Sequence, residues 1–230
     1  MPRPTAIVYV DGLNLYRQCL SGKPELKWLD LQKLFEMMLP THEIKLIRYF
    51  TAHIKPPVGN ASAPSRQNAY LRALATHINS LEIHLGQIRA DTKQYRKVPL
   101  EIDSLGKPVL AKVQKLEEKG TDVSLSNYMV LDACRSQADL FVLVSSDSDF
   151  VSTIRILMSE LQVGTAIFFP SRSPAKSLLS TKPSIIKVIR DDLLEQCQLP
   201  FEVASERGTI QRPAAWQKNQ ALGTPRACAR

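Results

Sequence analysis

The sequence predicts an α/β fold built from βα units around a mainly parallel sheet. Two observations predict it: short continuous apolar runs recur along the chain, and segments with apolar residues at helical spacing separate them. Continuous apolar runs are typical of strands that are covered on both faces, as in a parallel sheet lying between helices.

The first half of the chain contains three predicted strands, separated by helical or loop segments. AIVYV at residues 6–10 is the clearest strand, because five consecutive apolar residues suit a fully buried position. The predicted elements are, in order, a strand over 6–10, a helix over 13–20, a helix over 29–39, a strand over 43–50, an exposed Pro/Gly/Ser-rich loop over 54–65, a helix over 65–79 and a strand over 81–88.

The second half begins with residues 89–118, which are irregular, rich in lysine and arginine, and predict a β-ribbon excursion. The regular elements that follow are a helix over 123–134, a strand over 140–144, a helix over 150–161, a strand over 163–169 and a short strand over 184–189. We expect one domain over residues 1–200. The basic, weakly periodic residues 201–230 predict a disordered C-terminal tail.

Composition excludes several classes of protein. The 230 residues are 44% hydrophobic and 23% charged, which excludes a collagen, a coiled coil or a wholly disordered chain. No apolar run approaches the ~20 residues of a membrane helix, and the first residues lack the long apolar region of a signal peptide. We therefore expect a cytoplasmic protein that does not bind a membrane.

Charge and cysteine content bear on the partner and on the type of site. The formal net charge of +8 favours a polyanionic partner such as RNA, although a basic protein without such a partner remains the alternative. Four widely spaced cysteines form no CxxC pair and are expected to be reduced thiols, not a zinc site: Cys19, Cys134, Cys197 and Cys228.

Aspartates follow two of the predicted buried strands. Asp11 comes directly after the first strand, and Asp147 and Asp149 follow the strand over 140–144 after two serines. Asp122 stands where a helix begins. Ligand sites of open parallel sheets lie beyond the carboxyl ends of the strands, where the strand order reverses. We expect these carboxylates to meet there if the two strands are neighbours.

Converging carboxylates repel one another unless a cation lies between them. Oxygen ligands without histidine or cysteine favour Mg²⁺ or Mn²⁺ over zinc, and such an ion in a basic protein indicates a metal-dependent nuclease. Asn14, one helical turn after Asp11, could bond a ligand water or simply lie on a helix surface. The alternative for Asp122 and Asp149 is helix capping, and for Asp11 it is a solvated loop position.

Three motifs, in this order and spacing, resemble the NYN family of the PIN-like ribonuclease superfamily, in its LabA/DUF88-type branch. They are YVDGLNLY at 9–16, EEKGTDVSLS at 117–126 and LVSSDSDF at 143–150. WLDL at 28–31 is also similar, and the likeness spans most of residues 5–189. The resemblance implies a three-layer α/β/α sandwich around a central, mainly parallel sheet, with a Mg²⁺ or Mn²⁺ site.

The resemblance also assigns the site residues. The family's first acid and its nearby asparagine fall on Asp11 and Asn14, the KGxD acid on Asp122, and the SxDxDF acids on Asp147 and Asp149. The chain departs from the pattern where relatives often carry a further aspartate, because it has Asn127 and Tyr128 there. Asp132 lies further along. This departure bears on a second metal site and on activity.

Basic residues of the predicted ribbon are candidates for contacts with RNA phosphates. They are Lys112, Lys115 and Lys119, which lead into Asp122, and Arg96, which has an aromatic neighbour in Tyr95. The alternative is a solvated charged ribbon, and we expect only Lys119 to reach the site.

The sequence leaves three functions open. The first is a metal-dependent ribonuclease, and the second is a catalytically weak nucleic-acid-binding or regulatory module with the same fold. The third is a small-molecule enzyme, because some proteins similar to this branch have been described as pyridine-ring hydroxylases. The sequence shows no GxGxxG nucleotide fingerprint after a strand, which disfavours a nicotinamide or flavin enzyme.

Overall fold

Seven strands form the central sheet in the computed structural model, which describes residues 2–170 and 174–217. The strands are β1 (Thr5–Asp11), β2 (Glu43–Ala52), β3 (Leu81–Arg96), β4 (Leu110–Lys119), β5 (Leu140–Val144), β6 (Gly164–Phe169) and β7 (Ile185–Val188). Their order is β4-β3-β2-β1-β5-β6-β7, and every neighbouring pair is parallel except β3 and β4.

Helices connect these strands. They are α1 (Gly12–Leu15), α2 (Leu31–Met38), α3 (Ala63–His77), α4 (Thr121–Cys134), α5 (Val151–Arg155), α6 (Lys176–Leu179) and α7 (Asp191–Gln196). Two of them continue as π-helical turns, α1 through Tyr16–Leu20 and α5 through Ile156–Glu160. Most predicted boundaries agree with these to within a few residues, as is usual at helix ends.

The sheet lies between two layers of helices. Alternate side chains of β1 face opposite layers: Ala6, Val8 and Val10 pack in a core with α1, α2, α3 and α7, whereas Ile7 and Tyr9 pack in a second core with α4, α5 and α6. β5 and β6 alternate in the same way. These two cores confirm the predicted three-layer α/β/α sandwich.

The irregular region forms the β-ribbon that the sequence predicts. Residues 81–86 of β3 pair in parallel with β2, and residues 87–96 continue as the first arm of an antiparallel ribbon with β4. The third strand is therefore longer than expected, because its second half gains a partner from residues 110–119, which follow it along the chain.

Part of the predicted disordered tail is folded, so that prediction is wrong for residues up to 217. Strands β8 (Glu202–Ser205) and β9 (Gly208–Gln211) form a hairpin, and Val203, Ile210 and Trp216 are buried in the core of the first helical layer. These three apolar side chains and the Arg212 guanidinium, which donates to the Glu25 and Trp216 carbonyls, attach the segment to the domain. The average composition of residues 201–230 does not reveal these few contacts. The remainder, residues 218–230, lies outside the described residues.

Two other expectations concern cysteines and membranes. Cys19, Cys134 and Cys197 are free thiols, and Cys228 lies outside the described residues. Within residues 2–170 and 174–217, no helix is both long enough and apolar enough to cross a membrane.

A buried ion pair joins the sheet to α4. Asp132 accepts hydrogen bonds from Arg48 Nε at 2.8 Å and from the Tyr9 hydroxyl at 2.8 Å. The Arg48 side chain is 11% exposed and that of Asp132 4%. Because water scarcely reaches either side chain, removal of Asp132 leaves the buried Tyr9 hydroxyl without its acceptor. Arg48 then keeps only the half-exposed Glu82 as its ion-pair partner.

Replacing Asp132 with alanine should lower the free energy of unfolding by about 2 kcal/mol or more, since it removes the buried partner of Arg48 and the acceptor of the Tyr9 hydroxyl. Urea unfolding at neutral pH measures the change. Asp192→Ala is the control, because Asp192 pairs with Arg190 in solvent and should contribute less than about 1 kcal/mol. Equal losses in the two variants would contradict the role assigned to the buried pair.

Candidate functional site

The sheet order reverses between β1 and β5. From β1 the chain builds β2, β3 and β4 on one side, then returns through α4 to place β5 on the other. β1 and β5 pair in parallel from Ala6 opposite Leu140 to Val10 opposite Val144. Their carboxyl ends therefore lie side by side at the position where α/β proteins bind ligands.

A serine links the two strand ends. The buried Ser145 hydroxyl donates to Asp11 Oδ2 at 2.9 Å and accepts from the backbone N–H of Asp147 at 3.0 Å. Asn14 adds a second link, because its Oδ1 accepts from the Ser146 N–H at 3.1 Å. The Asn14 N–H donates to Asp11 Oδ1 at 2.9 Å, so Asp11 also caps α1. Asp11, Asn14 and Asp147 are thus held together by hydrogen bonds across the strand ends.

Asp122 reaches the same place from α4. Gly120, with φ of +102°, makes the left-handed turn that ends β4 and begins α4. Glu118 accepts from the Thr121 N–H and hydroxyl, which leaves capping of this helix start to Glu118 and not to Asp122. The Asp122 side chain makes no hydrogen bond or ion pair with any residue that the structure describes. Its carboxylate is therefore available to a ligand.

The three aspartates line one polar cleft of about 470 Å³ with Asn14 and Glu118. We call it the carboxylate cleft. Asp149 does not line it: its side chain is exposed, and its N–H donates to Asp147 Oδ1 at 3.0 Å. The structure thus brings together Asp11, Asn14, Asp122 and Asp147 and places Asp149 beside them.

Negative charge accumulates in this cleft. Partial burial raises the pKa of Asp122 to about 6, with further contributions from Asp11, Asp147, Glu118 and Asp149. Burial also raises the pKa of Asp11, although the hydrogen bonds from Asn14 and Ser145 act against it. None of these carboxylates forms an ion pair within the described ranges. A cluster of carboxylate oxygens of this kind is suited to binding a divalent cation.

The carboxylates do not form a closed cage. In residues 2–170 and 174–217, no group of three histidine, cysteine, aspartate or glutamate side chains is placed to hold a metal ion jointly. Asp11, Asp122 and Asp147 nevertheless line one cleft and provide oxygen donors of the kind that divalent cations bind. The donor set fits a hydrated ion such as Mg²⁺, which commonly keeps several waters.

Ribbon cations border the cleft on one side. Lys115 and Lys119 line it and pair with Glu117 at 2.6 and 3.3 Å. These lysines lower the pKa of Glu117 to about 2. By strand alternation Lys112, and Arg96 opposite Leu110, lie on the other face of the ribbon. Of the four predicted RNA contacts, Lys115 and Lys119 are therefore at the cleft and Lys112 and Arg96 are not. The expectation that only Lys119 would reach the site is wrong.

The sequence departure has a structural explanation. Asn127 is exposed, and the Tyr128 ring packs on His84 at 4.4 Å and under Arg48 at 4.5 Å. Asp132 is engaged by Arg48 and Tyr9 on the α4 side of the sheet. None of these positions lines the carboxylate cleft.

Sequence reasoning missed three residues of this region: Ser145, Glu118 and Arg17, which also lines the cleft. Arg17 had a signal, since it follows Asn14 by three residues and so shares its helix face. Ser145 and Glu118 belong to the quoted motifs, but their roles depend on partners that are distant in the sequence.

A second, apolar pocket of about 330 Å³ lies next to the cleft, and Leu13 lines both. We call it the aromatic pocket, because Tyr16, Tyr49, Tyr70 and Trp216 line it. At Gly12, a Cβ would come within 2.6 Å of the Tyr49 ring and 2.8 Å of a backbone oxygen. Glycine there lets Tyr49 pack against the turn that carries Asp11. Burial, and to a lesser degree Asp11, raises the pKa of Tyr49.

Comparison with known proteins agrees with this architecture. The family model of the NYN domain matches residues 5–189. A 6-hydroxy-3-succinoylpyridine 3-monooxygenase from Pseudomonas putida is 29% identical over 235 residues, which covers 91% of this chain and 74% of that protein. The crystal structure of a protein of unknown function from Vibrio parahaemolyticus matches with a TM-score of 0.52 at 17% identity, covering 83% of this chain and 95% of that one. This structural likeness supports the fold alone.

The raised pKa of Asp122 predicts a pH-dependent stability difference. The unfolded chain titrates this carboxyl near 3.8 and the folded chain near 6. Ionisation therefore costs stability, and the cost is absent below pH 4 and complete above pH 6. With a chelator present, the free energy of unfolding of Asp122→Asn should rise by about 1 kcal/mol relative to that of the wild type between pH 4 and pH 7. This value is reduced to allow for solvent screening of a partly exposed group.

Urea unfolding at a series of pH values measures this gain. Asp192→Asn, an exposed change away from the cleft, is the matched control and should show no comparable gain. A constant difference between the Asp122 variant and the wild type at every pH would contradict the raised pKa assigned to Asp122.

Proposed function

The chain belongs to the NYN domain family, and we propose that it is a metal-dependent ribonuclease that hydrolyses RNA phosphodiester bonds at the carboxylate cleft. One observation carries the proposal: Asp11, Asp122 and Asp147 meet at the switch point of the sheet without a cationic partner among the described residues. The nuclease-type fold of the family and the net charge of +8 agree with it.

Asp11, Asp122 and Asp147 are the residues that would hold Mg²⁺ or Mn²⁺. When bound, such an ion supplies charge neutralisation at the phosphate and lowers the pKa of a coordinated water. Ser145 and the capping bond from Asn14 hold the Asp11 oxygens in place. Asp149 orients Asp147 through its N–H.

The remaining polar groups act on the substrate. The Oδ1 of Asn14 is occupied by Ser146, so its amide N–H₂ is the group left to donate to a phosphate oxygen or a water. Asp122 would complete the ligand set or position the attacking water beside Asp11 and Asp147. Lys115, Lys119 and Arg17 supply positive charge along the cleft for adjacent phosphates.

A second candidate function is oxygenation of a small heteroaromatic acid. The specific observation is the likeness to the Pseudomonas putida monooxygenase over 91% of the chain. The aromatic pocket beside the cleft is consistent with such a substrate. The regulatory alternative, RNA binding without hydrolysis, rests on Asn127 and Tyr128, which add no acid to the cleft.

Cleavage of a labelled, mixed-sequence RNA tests the main proposal. We expect hydrolysis with Mn²⁺ or Mg²⁺ and none in EDTA. Asp147→Asn should reduce the rate at least about 100-fold, the factor that corresponds to about 3 kcal/mol of transition-state stabilisation. Gel analysis of products over time gives the rates.

The control for this assay is Asp192→Asn, which removes one exposed carboxylate of the same type from α7 and should cleave like the wild type. RNA cleavage that survives Asp147→Asn would exclude this cleft as the site. RNA binding without cleavage would favour the regulatory alternative. Turnover of a hydroxypyridine acid that requires O₂ and an added two-electron reductant such as NADH would favour the oxygenase.

The placement of the ribbon lysines predicts a face-specific effect on RNA binding. Replacing Lys115 and Lys119 with glutamine should weaken binding of single-stranded RNA and reduce the slope of log K against log salt by about 0.7 for each lost phosphate contact. Fluorescence anisotropy in EDTA at several salt concentrations measures the slope. Lys112→Gln, on the opposite face, is the matched control, and an equal effect there would mean that RNA does not follow the cleft side of the ribbon.

A further inference from the structure

We propose that the aromatic pocket binds a planar aromatic ring joined to an anionic group, and that its occupant is an unstacked nucleotide of the RNA strand bound in the carboxylate cleft, with the base in the pocket and a phosphate at its rim. The identity of the occupant rests on the proposed function. The ring-binding chemistry itself rests on the pocket.

The walls of the pocket are suited to a ring. Tyr49, Tyr70 and Trp216 line it with less than a tenth of their surface exposed. The rings of Tyr70 and Trp216 stand edge to face, with centroids 6.2 Å apart. A volume of about 330 Å³ is at the small end of the range for small-molecule sites. Bases stack readily on aromatic side chains in proteins that bind single strands.

The rim of the pocket is positively charged and uncompensated. Lys27, Lys55 and Arg66 line it, no acidic side chain does, and none of the three forms an ion pair with a residue that the structure describes. The Lys27 ammonium donates to the Tyr16 hydroxyl at 3.1 Å. Three cations around an apolar cavity favour a ligand that combines a ring with a phosphate or carboxylate.

Arg66 is held in position for this role. Its guanidinium donates to Asn60 Oδ1 and to the Ser62 hydroxyl, both at 2.5 Å. Both partners belong to the segment between β2 and α3, and Gln67 fixes that segment further by accepting from the Ile54 N–H. Two hydrogen bonds leave further N–H groups of the guanidinium free to donate to an anion.

The pocket adjoins the carboxylate cleft, and this favours RNA as the source of the ring. Leu13 lines both cavities, and Gly12 and Asp11 precede it on the same turn. The Tyr49 ring packs on Gly12, and the nearby Asp11 charge contributes to the raised pKa of Tyr49. One ligand can therefore place a ring in the pocket and a phosphodiester in the cleft, which a separate small acid has no need to do.

Binding in EDTA tests the inference without any requirement for cleavage. The probes are uridine and adenosine 5′-monophosphates, ribose 5-phosphate as the ring-free control, and nicotinate as a free heteroaromatic acid, each titrated calorimetrically. We expect both nucleotides to bind at least about tenfold more tightly than ribose 5-phosphate. Arg66→Gln combined with Lys55→Gln should weaken them about tenfold or more, as expected on losing hydrogen bonds to charged groups.

Arg72→Gln is the matched control, because Arg72 is an exposed arginine of the same helix that does not line the pocket. It should leave nucleotide binding unchanged. Equal binding of ribose 5-phosphate, or no effect of the rim variants, would overturn the inference. Binding of nicotinate without the nucleotides would overturn the RNA assignment in favour of a small acid.

The outcomes separate this inference from the proposed function. Ring-dependent nucleotide binding in a protein that cleaves no RNA would support ring binding in the aromatic pocket and count against the nuclease. Metal-dependent RNA cleavage with no ring-dependent binding would support the nuclease and overturn the role assigned to the pocket.

Discussion

The parallel pairing of β1 with β5 is the constraint on which the candidate site depends. The two strands are separated by more than a hundred residues, and their alignment brings the turn at Asp11 against the turn at Asp147. The Ser145 hydroxyl then spans the gap, donating to one carboxylate and accepting from the backbone of the other. Because Ser145 is fully buried, this bond competes little with water and sets the relative position of the two acids.

Acidic and basic side chains occupy different positions around these acids. In the carboxylate cleft, Asp11, Asp122 and Asp147 form no ion pair with a described residue, whereas Lys115 and Lys119 at its ribbon side pair with Glu117. On the other side of the Gly12 turn, the aromatic pocket carries only cations at its rim. With a divalent cation held in the cleft, these two cavities on the two sides of one turn would suit a ligand that combines a phosphodiester with a ring.

The buried pair of Arg48 and Asp132 shows how the same residue types serve the fold. Asp132 follows the family's KGxD acid on α4 but faces Tyr9 and Arg48 across the sheet. Its charge is neutralised by a guanidinium and its oxygens are occupied, so it acts as a link between α4, β1 and β2. Asp122 lies on the same helix, nearly three turns before Asp132, and has no such partner. The two aspartates therefore differ in role because the Asp122 carboxylate is free to bind a ligand and the Asp132 carboxylate is not.

Much of the architecture follows from local patterns. The apolar runs at 6–10 and 140–144 predict buried strands, the aspartates that follow them predict a polar site at the strand ends, and the basic residues 89–118 predict the ribbon. These features depend on the chemistry of neighbouring residues, and that chemistry can be recognised from the order of the amino acids. Recognition of the three motifs added the layer arrangement.

Other features were decided only by the tertiary structure. The order of strands, the Ser145 bridge, the placement of Lys112 and Arg96 away from the cleft, and the attachment of Trp216 beside Trp28 and Tyr70 all join residues that are distant in the chain. Local pattern cannot predict them, because hydrogen bonds and burial depend on which surfaces meet. The sequence by itself determined which residues could form strands, helices and acidic turns, and the packing of the sheet decided which of them share a site.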